Sequence, residues 1–123
     1  MIAVLTFIAG ASGAVARFEV DALIKLRWRS PFPLGTLLIN VTGSLLLGVL
    51  AGLVLFGGQP SVWQTVFGTG FCGGYTTFST ASFETVRLVQ QGRHGYALAN
   101  AVGSLVLSVA ACAAGLAVVW AAS

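Results

Sequence analysis

Charge is what this sequence has least of. Only 7% of its 123 residues are Asp, Glu, Lys or Arg, where a soluble domain carries about 25%. From Ser30 to Phe83 there is no charge at all. That excludes an ordinary soluble domain and implies an integral membrane protein, with residues 1–123 too few for a second domain. A single histidine, His94, stands with no acid near it and no metal-ligand cluster, so no catalytic set is present and an enzyme is not expected. Neither of the two cysteines, Cys72 and Cys112, has zinc-type spacing; both fall in apolar segments and read as small packing residues rather than a disulfide. The net charge of +3 is too small and scattered for nucleic acid. Ionisable groups inside the apolar segments are also missing. Glu84 and Arg17 lie at segment edges and His94 is expected in a loop. A proton-coupled pump needs an acidic or histidine relay at membrane depth, and a four-span drug exporter would want a carboxylate in its first span. The sequence therefore favours passive conduction over coupled transport or catalysis.

What is there is apolar length. Met1–Ala16, Leu34–Phe56, Ser61 to about Arg87, and Tyr96–Ala122 read as four spans, each near the roughly 20 residues a helix needs to cross a bilayer. The first is short, and can recruit Arg17 and Phe18 if Arg17 snorkels. It has no basic segment before it, so a signal peptide is not expected. Gly57-Gly58-Gln59-Pro60 reads as a turn. Arg17, Lys25, Arg27 and Arg29 fall between spans 1 and 2, and Arg87 and Arg93 between spans 3 and 4; the termini and the 57–60 turn carry none. With four spans, all six charges share one face. The positive-inside rule assigns that face to the cytoplasm and both termini to the outside of the cell membrane. Trp28 and Tyr96 then sit near the inner interface, and Trp63 and Trp120 near the outer one, as anchors against the lipid.

Residues 68–82 hold four glycines and six Ser or Thr at membrane depth. Gly73-Gly74 weakens a helix, and lipid offers no water to freed backbone groups. Such backbone survives only inside protein or along a polar cavity, and a broken helix of this kind is a frequent home for an ion. Two stripes accompany it. Span 2 carries Thr36, Asn40, Ser44, Gly48 and Gly52 at four-residue intervals, and span 4 carries Asn100, Ser104, Ser108 and Cys112. Residues four apart share a helix face. The serines and glycines suit either close helix packing or a polar path. Asn40 is costly in hydrocarbon without partners, so it either ties helices together or faces a wet path.

Three segments together resemble a known family. Gly13-Ala14-Val15-Ala16-Arg17-Phe18, Gly35-Thr36-Leu37-Leu38-Ile39-Asn40-Val41-Thr42-Gly43, and, most specifically, Gly70-Phe71-Cys72-Gly73-Gly74-Tyr75-Thr76-Thr77-Phe78-Ser79-Thr80 resemble the signatures of the fluoride-specific ion channels (Fluc, also called CrcB). The resemblance covers essentially the whole chain. It implies an all-α membrane protein of four transmembrane helices with a broken third helix, working as an antiparallel (inverted) dimer with a pore on each side of the interface. It implies passive fluoride export and a structural sodium ion at the dimer interface, with no organic cofactor. By the same resemblance, Gly73 and Thr76 match the sodium positions, which act through backbone carbonyls. Asn40, Phe78 and Ser104 match pore positions, joined by Thr77 and Thr80 of the Thr-Thr-Phe-Ser-Thr context. Arg17 matches an arginine that either draws anions to the vestibule or anchors the helix at the headgroups. The partners implied are fluoride, membrane lipid and a second chain.

Two departures stand out. The family pattern puts a second phenylalanine three residues after the first, and here that residue is Ala81. Phe83 is two residues further, about 200° around a helix, and faces another way. A chain that inserts in both orientations should also have balanced loop charges, and six against zero is not balanced. Both departures suggest one half of a heterodimer, completed by a homologue with its charge on the opposite loops. A coupled small-cation or multidrug exporter, and a non-conducting assembly subunit, remain as rival readings.

Overall fold

The computed structural model describes residues 1–28, 32–58 and 60–123. Arg29 and Ser30, which enter the charge count and the uncharged run, and Gln59 of the expected turn lie outside them. The described residues are almost wholly helical. Helix α1 is Ile2–Arg27 and α2 is Leu34–Leu55. The third span is composite: α3 (Ser61–Trp63), a π-helical segment (Gln64–Cys72), α4 (Gly73–Tyr75), and then α5 (Phe78–Gln90). Helix α6 is His94–Ala122. α1, α2 and α6 are each long and apolar enough to cross a membrane, and the interrupted third span packs among them, which fits an arrangement of four helices with the third broken.

Two expectations are corrected. α1 does not end at Ala16 but continues through Arg17 to Arg27. Nothing between Arg17 and Arg27 is glycine or proline, so no residue there interrupts the hydrogen-bond ladder. Arg17, Lys25 and Arg27 thus stand on one continuous helix, with Lys25 paired to Asp21 one turn earlier at 2.9 Å. His94 likewise opens α6 rather than lying in a loop. The turn after α2 is as expected, with Gly58 at φ 68°, a left-handed conformation that favours glycine.

Hydrocarbon gives helices no hydrophobic reason to associate, so backbone closeness must do it. Glycine supplies that closeness at two seams, α1 with the third span and α2 with α6. Gly13 of α1 lies against the Phe71 carbonyl and the Tyr75 amide, and Gly74 lies against the Gly10 carbonyl and Ala14. Gly48 of α2 meets the Cys112 carbonyl of α6, and Gly115 of α6 meets Leu45 and Val49 in return. A methyl group at any of these would overlap main chain. The pairings also fix direction. α1 runs parallel to the first half of the third span, and α2 runs parallel to α6, so both basic connections fall at one end of the bundle. There Asp21 and Lys25 of α1 and Glu84 and Arg87 of α5 line a common recess of about 260 Å³.

Candidate functional site

The break in the third span is local and well supported. Gly73-Gly74 is not where the helix ends. Both glycines are helical, and Gly74 is occupied with packing on α1. The chain leaves the helix two residues later, with Thr76 at φ −79°, ψ 159° and Thr77 at φ −148°, ψ 123°. Thr76 closes the first half by donating both its N–H (2.8 Å) and its Oγ1 (2.7 Å) to the Cys72 carbonyl. Thr77 opens the second half as its N-cap, its Oγ1 accepting from the Thr80 N–H at 3.1 Å. The π-helical turn before the break widens the helix, a feature often found beside functional sites.

Asn40 of α2 holds the break from outside. Its Nδ2 donates to the Thr77 carbonyl at 2.9 Å, and its Oδ1 accepts from the Thr77 N–H at 2.8 Å. Each hydrogen bond contributes about 0.5–1.5 kcal/mol net, and an unmade one at this depth costs more. The amide group carries two N–H bonds, so one donor is left over. Because the Thr77 N–H turns to Asn40, the Gly73 carbonyl loses its ordinary i+4 partner. A methyl built on Gly73 meets nothing within 4 Å, so approach to its backbone is open.

Beside the break lies a cavity of about 740 Å³ between α2, the π-helical segment, α5 and α6. Asn40, Gly73, Thr76, Thr77, Phe78 and Ser104 all stand on its wall, with Ser44, Ala81 and Ser108. Six of the eight site residues expected from sequence are therefore brought together. The other two are not: Thr80 and Arg17 do not line it. Arg17 is half-buried on α1, and its Nε has no hydrogen-bond partner. Among the described residues no charged side chain lines the cavity. Its polarity comes from amide and hydroxyl groups and from the N-terminal end of α5, which carries partial positive charge. Weak donors on an otherwise apolar wall suit a small, partly dehydrated anion.

A family model described as "CrcB-like protein, Camphor Resistance (CrcB)" matches residues 4–116. The chain belongs to the CrcB family. A relative from Leifsonia xyli subsp. xyli, named "Fluoride-specific ion channel FluC 1", is 51% identical over 109 residues, covering 89% of this chain and 80% of its own. One from Nitrobacter hamburgensis, named "Fluoride-specific ion channel FluC 2", is 42% identical over 116 residues, 94% of each chain. One from Pyrococcus abyssi, named "Fluoride-specific ion channel FluC", is 42% identical over 106 residues, 85% of each.

In this CrcB-family chain Phe78 is 86% exposed, a large apolar ring with no neighbour of its own to cover it. Ala81 shares the cavity wall with it, whereas Phe83 is exposed and points elsewhere. Two buried polar residues were not named as site residues from sequence, and one of them, Asn100, lines the cavity. Asn100 is fully buried, donating to the Ala81 carbonyl (3.3 Å) and to Thr85 Oγ1 (2.8 Å) while accepting from Ser104 at 3.4 Å. It joins α5 to α6 beneath the cavity. Thr36 donates to Glu84, which ties α2 to α5 at the charged end. Both belong to the four-residue stripes; an amide among the small residues of span 4 was the available signal for Asn100, whereas nothing in the sequence separates Thr36 from the other hydroxyls.

Proposed function

We infer that this chain is one subunit of a fluoride channel in the cell membrane, lowering cytoplasmic fluoride by passive export. The observation that carries this reading is the gathering of Asn40, Thr77, Phe78 and Ser104 on one uncharged cavity at the positive end of α5, in a family whose relatives bear fluoride-channel names. Fluoride sheds water as it enters. The spare Asn40 N–H and the Ser and Thr hydroxyls replace some of that water, and the positive edge of the Phe78 ring supplies weak attraction. Without a fixed cation on the wall, the ion is held loosely enough to leave. Arg17 stands off the cavity wall, which speaks against a role as anion collector at that wall. The basic end of the bundle faces the cytoplasm and the termini face out.

A structural sodium fits the break. Gly73 and Thr76 offer carbonyl oxygens, the hard donors a small cation takes, and the Gly73 carbonyl has lost its helical partner to the Asn40 contact. One chain supplies only part of such a shell, which agrees with an inverted dimer in which a second chain supplies the rest. Ala81 and the one-sided charge favour a homologue of opposite orientation as that second chain, with a phenylalanine opposite Phe78.

Fluoride efflux from liposomes, read with a fluoride electrode, tests this. The chain paired with an oppositely charged homologue should release fluoride rapidly and without need of a pH gradient. No fluoride flux from the pair would overturn the channel reading, and flux that needs a proton gradient would favour an exporter. Rapid efflux from this chain alone would leave the channel standing and remove the heterodimer.

A further inference from the structure

Away from the break, a second groove of about 510 Å³ runs along the seam between the end of α1 and the start of α2. Its wall is apolar, with Leu23, Leu26, Leu34 and Leu38 along it and Arg27 and Trp28 at its end. Leu23 and Leu26 are among the more exposed leucines of the chain, so the groove is open at the chain's own surface. Its end is marked as the headgroup level by an aromatic cluster. Trp28 Nε1 donates to the Phe32 carbonyl at 3.0 Å, and the Phe32 ring meets Tyr96 edge-on at 5.9 Å. Trp and Tyr concentrate at that level.

The charges around this end are not balanced. Asp21 is engaged by Lys25, and Glu84 accepts from Thr36; Glu19 lies two turns before Arg27 on the same helix face, about 12 Å away along the axis. Arg27 forms no ion pair among the described residues. A guanidinium without an ion pair at the end of an apolar groove matches one occupant in both parts. The geometry points to a binding site for an anionic phospholipid, its acyl chain against Leu23, Leu26, Leu34 and Leu38 and its phosphate against Arg27. Arginine presents a planar fork of donors to phosphate, and a basic residue near an anionic surface is worth about 1 kcal/mol, or roughly fivefold in affinity. This site stands on the membrane character of the chain alone and does not depend on what the chain conducts.

Trp28 is a reporter built into the site. In the full chain carrying Trp63→Phe and Trp120→Phe, Trp28 is the sole tryptophan. The protein is reconstituted into phosphatidylcholine vesicles containing either brominated phosphatidylglycerol or brominated phosphatidylcholine, and Trp28 quenching is read against bromolipid fraction. The anionic bromolipid should be preferred about fivefold. Arg27→Gln should bring the two lipids to equal quenching, and Arg27→Lys should keep most of the preference. Equal quenching in the Arg27 protein, or a preference that Arg27→Gln leaves intact, overturns the site.

Discussion

Replacing Asn40 with Asp changes one atom type and separates the two roles of the side chain. The Oδ1 contact to the Thr77 N–H, 2.8 Å in the native protein, survives and becomes charge-assisted. The Nδ2 donation to the Thr77 carbonyl at 2.9 Å is lost, and two oxygens face each other. That costs about 1–3 kcal/mol for a group left unsatisfied, enough to loosen the break without unfolding four spans. The electrical effect on a passing anion is larger. A carboxylate about 4 Å from fluoride repels it by roughly 4 kcal/mol at an effective dielectric of 20, close to three decades in occupancy at 1.4 kcal/mol per decade. Fluoride efflux from liposomes of the conducting complex should therefore fall by about a thousandfold. Circular dichroism and size-exclusion profiles should change little. Efflux within threefold of the parent, from protein that elutes normally, would remove Asn40 from the ion path and leave it as a strut alone.

Three further outcomes are expected. Ala81→Phe, on the cavity wall one helical turn from Phe78, should raise fluoride efflux from the chain reconstituted alone by tenfold or more; no gain would mean that Ala81 is not what limits it. Gly73→Val meets open space within its own chain, so helicity and monomer integrity should hold while dimer formation on size exclusion and flux are both lost; normal dimers and flux would move the cation site elsewhere. Gly48→Val drives a side chain into the Cys112 carbonyl and should destabilise the α2–α6 seam by about 1–3 kcal/mol, read as a lower melting temperature in detergent, with an unchanged melt counting against that seam.

Much of this was legible in the residues and some was not, for reasons that follow from distance along the chain. The spans, the polar stripes and the interrupted third helix are local patterns, and apolar length and four-residue spacing expose them. The four-residue stripe on α2 proved to have two uses. Each step advances about 40° past a full turn, so its early members Thr36 and Asn40 reach α5 and the break, while Gly48 and Gly52 reach α6. The exact position of the break was not legible. Gly73-Gly74 marks the weakest helical sequence, but Gly74 is needed against Gly10, and the chain turns at Thr76 and Thr77, whose hydroxyls cap the two halves. The extent of α1 was misjudged because charge was taken to end a helix. It does not end one, and α1 runs on unbroken from Arg17 to Arg27. The Asn40–Thr77 and Asn100–Ala81 contacts join residues 37 and 19 apart, which no local pattern encodes.

The paired contact between Asn40 and Thr77 has a mechanical consequence. A primary amide that accepts from the N–H and donates to the C=O of one residue does for it what a neighbouring β-strand would do. The extended Thr77 is in effect a one-residue strand whose missing partner is a side chain on α2. Such a joint resists rotation, because swinging α5 away from α2 breaks both bonds together and leaves both groups in a medium without water. A protein that worked by rocking one half of a helix against the other would need a hinge at this point. This chain has a clamp there instead, which favours a fixed wall on that side of the cavity.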